Sequence, residues 1–143
     1  MEYAIGVSLA LLAGLFVSWV GLDRDRAAYP LMLIVIAILY ELFAVQGDST
    51  IALLSELVPT TIFVGVSVLG FRTSLWWVVV GLVGHGVYDI VHPAIFTNPG
   101  VPVWWPMFCM AYDVAAGAFL AWRLMRSRRS KTVVLSAQSL AAR

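Results

Sequence analysis

Five long apolar stretches alternate with short polar breaks along the chain. A helix that crosses a membrane needs about 20 mostly apolar residues. The stretches that meet this length are residues 3–22, 27–46, 51–70, 75–96 and 103–125. Breaks of four to six residues, rich in charged, small polar and turn-forming residues, separate them. The pattern predicts an all-α integral membrane bundle of five transmembrane helices.

The composition agrees with lipid as the main solvent of this chain. Hydrophobic residues make up 62% of the sequence and charged residues only 12%, whereas a soluble globular protein has about 25% charged residues. We therefore expect one transmembrane domain over residues 1–125 and a basic tail over residues 126–143, whose Ser and Ala content predicts poor order. Membrane lipids are expected partners, and nucleic acid is not, because no basic surface is distributed along the chain.

The basic residues predict how the chain is oriented. All nine fall in the first break, in the third break or at the C-terminal end: Arg24, Arg26, Arg72, Arg123, Arg126, Arg128, Arg129, Lys131 and Arg143. Five helices place these three regions on one side, and Lys and Arg collect on the cytoplasmic side. The first stretch lacks a preceding basic segment and is interpreted as a retained helix. We expect a multi-pass protein of the cytoplasmic (inner) membrane, with its N-terminus outside and its C-terminus in the cytoplasm.

Six acidic or histidine residues lie inside the apolar stretches. They are Glu41, Glu56, His85, Asp89, His92 and Asp113. A charge at the centre of a bilayer costs about 2.5–3.5 kcal/mol even on the gentler scales. Such groups face the interior of a helix bundle, pair with one another and commonly mark functional sites. The second to fifth stretches each contribute at least one of them, and the predicted site therefore lies between these four helices.

The spacing within the last two stretches is typical of polar stripes. His85, Asp89 and His92 stand at positions i, i+4 and i+7, which fall within an arc of roughly 60° on a helix. Cys109 and Asp113 stand one turn apart in the fifth stretch. We expect the two stripes to face each other. Cys109 itself and the tyrosines at positions 40, 88 and 112 are interpreted as packing residues.

The same region carries a family resemblance. The segments HGVYDIVH at 85–92 and PVWWPMFCMAYD at 102–113 resemble an uncharacterised family of small bacterial multi-pass membrane proteins. The similarity covers the fourth and fifth stretches. It implies that these residues act as a unit, and it brings no known activity with it.

A metal site is the first functional hypothesis. Two imidazoles together with carboxylates suit a divalent transition metal such as Zn, Fe or Mn. The predicted ligands are His85, Asp89, His92 and Asp113, with Glu41 and Glu56 as weaker candidates. A water bound to such an ion would be a nucleophile.

The alternatives need no metal. His85, Asp89 and Asp113 would act as catalytic residues in acid–base chemistry on an apolar, lipid-like small molecule. A transporter would use the same groups to relay protons or a cation, although the polar residues occupy only the outer half of the bundle. A structural or accessory subunit would use them to hold helices together, at about 0.6 kcal/mol per hydrogen bond. The sequence favours an active site and leaves its substrate, metal and reaction open.

Overall fold

The computed structural model describes residues 1–22, 24 and 26–141, with side chains up to Ser127. The helices are α1 (Glu2–Val20), α2 (Ala28–Gln46), α3 (Thr50–Arg72), α4 (Trp76–Ile95) and α5 (Trp105–Ala141). Each is long and apolar enough to cross a membrane. The all-α fold of five such helices is thereby confirmed.

The last helix differs most from its predicted bounds. The stretch predicted over 103–125 is an apolar span over Trp105–Ser127, and α5 continues beyond that span to Ala141. The division of the chain into a membrane domain and a poorly ordered tail stays a prediction. Residues 142 and 143 of that tail lie outside the described residues.

Local chemistry explains where the helices begin and end. α1 ends at Gly21, whose φ of 85° is left-handed and whose N–H bonds back to the carbonyl of Val17, as is typical of a glycine C-cap. α3 begins after Ser49, whose Oγ accepts a hydrogen bond from the N–H of Ala52 at 3.2 Å, an N-cap. α4 ends at Ile95, two residues beyond Pro93, whose missing N–H leaves the carbonyl of Asp89 without its helical hydrogen bond.

Short loops make consecutive helices antiparallel and give the bundle two distinct ends. The end that carries the 47–49 and 96–104 loops is called the Asn98 end. The opposite end, with the 21–27 and 73–75 loops, is called the Arg72 end. At the Arg72 end a guanidinium N–H of Arg26 donates to the carbonyl of Thr73 at 3.0 Å, which ties the two loops together.

The first helix packs chiefly against the last one. A Cβ added at Gly6 would collide with the carbonyl of Phe108, and a Cβ at Gly14 would lie 2.7 Å from the ring of Phe119. Ala10, between these glycines, is buried. The stripe of small residues on α1 therefore lets α5 approach closely.

Burial in this bundle is inverted with respect to a soluble protein. Large apolar side chains are exposed along the outer faces of the helices, and Ile51 and Val58 are 80% and 65% exposed. Five of the six acidic and histidine residues predicted inside the bundle are 2% exposed or less: Glu56, His85, Asp89, His92 and Asp113. The polar residues thus lie inside, as expected for helices surrounded by lipid.

Candidate functional site

Two groups of buried polar side chains lie between α2, α3, α4 and α5. The first consists of His85, Asp89, Cys109 and Asp113 and is called the His85 cluster. The second consists of Glu56, Tyr88, His92 and Asn98 and is called the Glu56 cluster. Only the second reaches the loop at the Asn98 end.

Two carboxylates share one imidazole nitrogen in the His85 cluster. Nδ1 of His85 lies 2.7 Å from Oδ2 of Asp113 and 3.5 Å from Oδ2 of Asp89. The thiol of Cys109 is directed at Oδ2 of Asp113, with its Sγ 4.0 Å away. One possible ligand atom from each of the four side chains lies within 4.8 Å of the others. The cluster is therefore compact enough to surround a single ion.

The meeting of two helices assembles this cluster. α4 and α5 each contribute a pair of side chains spaced by one turn. Next to this pair on α4, Gly86 permits a close approach, because a Cβ there would lie 3.3 Å from the carbonyl of Met110 and 3.6 Å from Cβ of Asp113. The prediction that the two polar stripes face each other is confirmed.

Several polar atoms of the His85 cluster are buried without a hydrogen-bond partner among the described residues. They are Nε2 of His85, Oδ2 of Asp89 and Oδ1 of Asp113. Leaving such an atom unpaired costs about 1–3 kcal/mol. The aromatic ring of Phe63 packs edge-on against the imidazole of His85, with centroids 4.7 Å apart. Oδ1 of Asp113 and Oδ2 of Asp89, the latter 3.5 Å from Nδ1 of His85, are acceptors that a cation would satisfy.

The Glu56 cluster has its carboxylate fully paired. Oε1 of Glu56 lies 2.7 Å from Nε2 of His92 and accepts from the amide of Asn98 at 3.0 Å. Oε2 accepts from the hydroxyl of Tyr88 at 2.6 Å. One carboxylate thus meets three donors or donor-capable groups from α4 and the loop that follows it.

Tyr40 on α2 connects the two clusters. Its hydroxyl donates to Oδ1 of Asp89 at 2.7 Å. Its ring lies against the imidazole of His92, with centroids 4.1 Å apart and planes inclined by 31°. Its backbone carbonyl accepts from the amide of Asn98 at 2.9 Å. Movement of this one side chain would therefore disturb both clusters.

The four ligands predicted from the sequence are divided between the clusters. His85, Asp89 and Asp113 come together, whereas His92 pairs with Glu56. His92 stands two turns from His85 along α4, so that its imidazole reaches α3 and not Asp113.

The two weaker candidates have different surroundings. Glu56 is buried and belongs to the pair with His92. Glu41 is half-buried and takes part in none of the hydrogen bonds of either cluster.

Sequence reasoning missed several polar partners. Tyr40, Tyr88 and Cys109 were interpreted as packing residues, and Asn98 as part of a loop. The structure gives both tyrosines a carboxylate partner and places Cys109 beside Asp113. The sequence does contain a signal that Tyr88 has a polar partner, because Tyr88 stands four residues before His92 and so lies on the same face of α4.

Comparisons with known proteins add no identity. No family model, no curated protein and no solved structure matches this chain. The resemblance carried by residues 85–92 and 102–113 therefore stays a prediction. The fold and the site support a class of protein only: a multi-pass membrane protein with a buried cluster of His, Asp and Cys side chains.

Proposed function

We propose that this protein binds one divalent transition metal ion inside its membrane bundle. The ligands are His85, Asp89 and Asp113, with Cys109 as the fourth. One observation carries the proposal: four buried side chains of ligand type present their atoms within 4.8 Å of one another. Glu56 and His92 lie outside this set and support the bundle.

The ligand atoms would need shifts of only a few tenths of an ångström at three of their mutual contacts to surround a tetrahedral ion. Bonds of about 2.0–2.3 Å from a tetrahedral metal to N, O and S place neighbouring ligand atoms about 3.3–3.8 Å apart. The distances from His85 to Asp89 and from Cys109 to Asp113 are 3.5 and 4.0 Å. The 2.7 Å contact between His85 and Asp113 is a hydrogen bond that an ion would widen by about 0.6 Å.

Charge balance supports the same assignment. A neutral imidazole and two carboxylates together carry two negative charges, which a divalent cation cancels within an apolar surrounding. A thiolate from Cys109 would leave one surplus negative charge, so we assign it the weakest bond. Imidazole and sulfur favour Zn or Fe over Mg and Ca, and the two carboxylates keep Mn as an alternative.

The burial of the site favours binding over catalysis. Catalytic metal sites keep one position open for water or substrate, whereas structural sites are closed by protein ligands. All four side chains are 3% exposed or less. The closed arrangement is that of an ion held by the fold.

Acid–base chemistry on an apolar, lipid-like molecule is the second candidate. The 2.7 Å contact between His85 and Asp113 favours it, because a proton shared at this distance is the arrangement that general acid–base catalysis uses. It ranks second because the substrate would have to reach an imidazole that is 1% exposed.

Cobalt is the sharpest probe of the proposed ion. The full chain is purified in detergent, freed of metal with a chelator and titrated with Co²⁺. The visible spectrum of bound Co²⁺ reports tetrahedral coordination, and its near-ultraviolet charge-transfer band reports a thiolate ligand. We expect one ion per chain, displaced by Zn²⁺. Cys109→Ser should remove the thiolate band and keep the tetrahedral spectrum.

A matched control comes from the Glu56 cluster. Glu56→Gln removes a buried carboxylate that also pairs with a histidine, and it should leave the cobalt spectrum unchanged. A chain that takes up neither Co²⁺ nor Zn²⁺, Fe²⁺ or Mn²⁺ would defeat the proposal and leave acid–base chemistry as the better one.

The orientation is proposed on separate grounds. The distribution of the nine basic residues supports a cytoplasmic Arg72 end in the cytoplasmic membrane. Reporter fusions at the C-terminus and after Arg72 should be active in the cytoplasm, and a fusion at Asn98 should be active outside. A fusion at Asn98 that is active in the cytoplasm would contradict this orientation.

A further inference from the structure

Two adjoining cavities lie at the Arg72 end, and no residue of the His85 cluster lines either of them. The first, of about 430 Å³, lies between the two loops and α5 and is lined by Arg24, Arg26, Thr73, Ser74, Trp76 and Ser127. The second, of about 460 Å³, is lined by Tyr29, Trp122, Arg123 and Arg126. Both include Leu75, Leu124 and Ser127, so they form neighbouring parts of one depression.

Each cavity offers a pair of guanidinium groups. An arginine has five N–H donors in a planar fork that matches the oxygens of a phosphate. Arg26 uses one of its nitrogens on the carbonyl of Thr73, which fixes the side chain beside the first cavity. The guanidinium of Arg126 lies 5.5 Å from the centre of the Trp122 ring. Two anionic groups, one in each cavity, would match this arrangement.

The charge around the cavities is positive among the described residues. No acidic side chain lines either cavity in the part of the chain that the structure describes. Asp23 and Asp25 alternate with the arginines in the sequence and lie outside the described residues. The hydroxyls of Thr73 and Ser127 add neutral donors for phosphate oxygens.

An apolar groove is lined by residues that neighbour those of the first cavity along the chain. It has a volume of about 180 Å³, lies between α2 and α3, and is lined mainly by Ala27, Leu31, Ile34, Val68 and Phe71. Ala27 directly follows Arg26 in the chain, and Phe71 comes two residues before Thr73. Basic cavities next to an apolar groove match an amphipathic ligand better than a free anion.

We propose that the Arg72 end binds an anionic phospholipid with two phosphate groups, of the cardiolipin class. One phosphate lies against Arg24 and Arg26, the other lies against Arg123 and Arg126, and an acyl chain follows the groove between α2 and α3. Basic pockets between transmembrane helices are typical sites for such headgroups. Trp76 and Trp122 lie at the level where aromatic side chains meet headgroups.

Native mass spectrometry of the full chain in detergent tests this site. Cardiolipin, phosphatidylglycerol at twice the concentration to match its phosphate, and inorganic phosphate are added in separate titrations. We expect one cardiolipin per chain, weaker retention of phosphatidylglycerol and no displacement by inorganic phosphate. Arg24→Gln and Arg126→Gln should each weaken cardiolipin binding about fivefold, since one basic residue near a membrane contributes about 1 kcal/mol.

The matched control is Arg72→Gln. It removes one positive charge at the same end of the bundle, and Arg72 lines neither cavity. Equal weakening by Arg72→Gln would show general attraction and overturn the site. Equal binding of phosphatidylglycerol at matched phosphate would overturn the two-phosphate ligand, and displacement by inorganic phosphate would overturn the lipid. Asp113→Asn should bind cardiolipin normally, so failure of the metal proposal would not affect this result.

Discussion

The His85 cluster and the Glu56 cluster each bring a histidine against a carboxylate, and they differ in how their carboxylates are paired. Glu56 meets His92, Tyr88 and Asn98, so both of its oxygens have partners. In the other cluster two carboxylates compete for one nitrogen of His85. An oxygen of each carboxylate is left without a hydrogen bond there.

This difference distinguishes a cluster that stabilises the bundle from a cluster that binds an ion. A buried polar network with every member paired stabilises one arrangement of helices. A network with surplus acceptors is costly by itself, and functional sites commonly carry such a local cost. The imbalance at the His85 cluster is therefore better explained by a bound ion than by helix packing. Substitutions in the two clusters should have opposite effects on metal binding and on stability.

The largest expected effect is the loss of metal binding in Asp113→Asn. This change removes one of the two charges that cancel the cation, and a ligand loss should exceed the 10–100-fold effect of an outer-shell residue. We expect metal affinity to fall by more than about 100-fold, measured by isothermal titration or elemental analysis. Thermal stability without metal should stay equal or rise, because the change removes a buried negative charge while the amide can still hydrogen-bond to His85. A clear loss of stability with unchanged metal content would show that Asp113 stabilises the bundle and does not bind the ion.

Glu56→Leu should lower the stability of the bundle and leave metal binding unchanged. It leaves His92, Tyr88 and Asn98 without their shared acceptor, and we expect a loss of about 2 kcal/mol in the free energy of unfolding. Metal content should remain that of the native chain. Combining Glu56→Leu with His92→Leu should recover part of the stability, since the imidazole that the first change leaves unpaired is replaced by an apolar group. If the single variant also loses its metal, the two clusters form one site.

Tyr40→Phe sharpens the comparison at the point where the clusters meet. The hydroxyl of Tyr40 holds Asp89 in place, and loss of such a partner weakens metal binding about tenfold or more. Tyr112→Phe is the matched control, because its hydroxyl donates to the sulfur of Met32, at 3.4 Å, and to no side chain of either cluster among the described residues. Competition with a metal-sensitive dye measures both affinities. Equal affinities in the two variants would show that Asp89 needs no positioning.

Cys109→Ser should have the smallest effect on affinity. The thiol lies farther from Asp113 than the imidazole does, at 4.0 Å against 2.7 Å, and a thiolate would add a surplus charge. We expect zinc affinity to fall about threefold at most, with a relative shift towards manganese, which prefers oxygen ligands. A fall as large as that of Asp113→Asn would make Cys109 a principal ligand.

The sequence predicts the fold well because the signals that begin or end a helix lie in the residues next to it along the chain. Polar breaks, a left-handed Gly21 and the Ser49 cap all lie next to the residues that they limit. The first four helices begin and end within two residues of the predicted stretches. α5 has no such signal near residue 125, because the residues after it are polar without a helix-breaking glycine or proline.

The site is predicted only in part, because helix periodicity gives the face of a side chain and not its partner. The spacing within α4 and α5 was sufficient to bring His85 and Asp113 together. The pair of Glu56 and His92 depends on the distance between α3 and α4, which no periodicity contains. Asn98 reaches Glu56 from a loop, and the path of a loop depends on the finished bundle.

The pairing of α1 with α5 has a consequence for how the chain is made. Because α1 packs chiefly against α5, α1 leaves the ribosome before its main packing partner, and we expect it to remain without that partner until α5 is inserted. Contacts between residues far apart in sequence form late, since the intervening chain must first be ordered. We therefore expect the close contacts at Gly6 and Gly14 to form late in the assembly of the bundle. An insertion machinery that released each helix separately would have to shelter α1 from other partners during this interval.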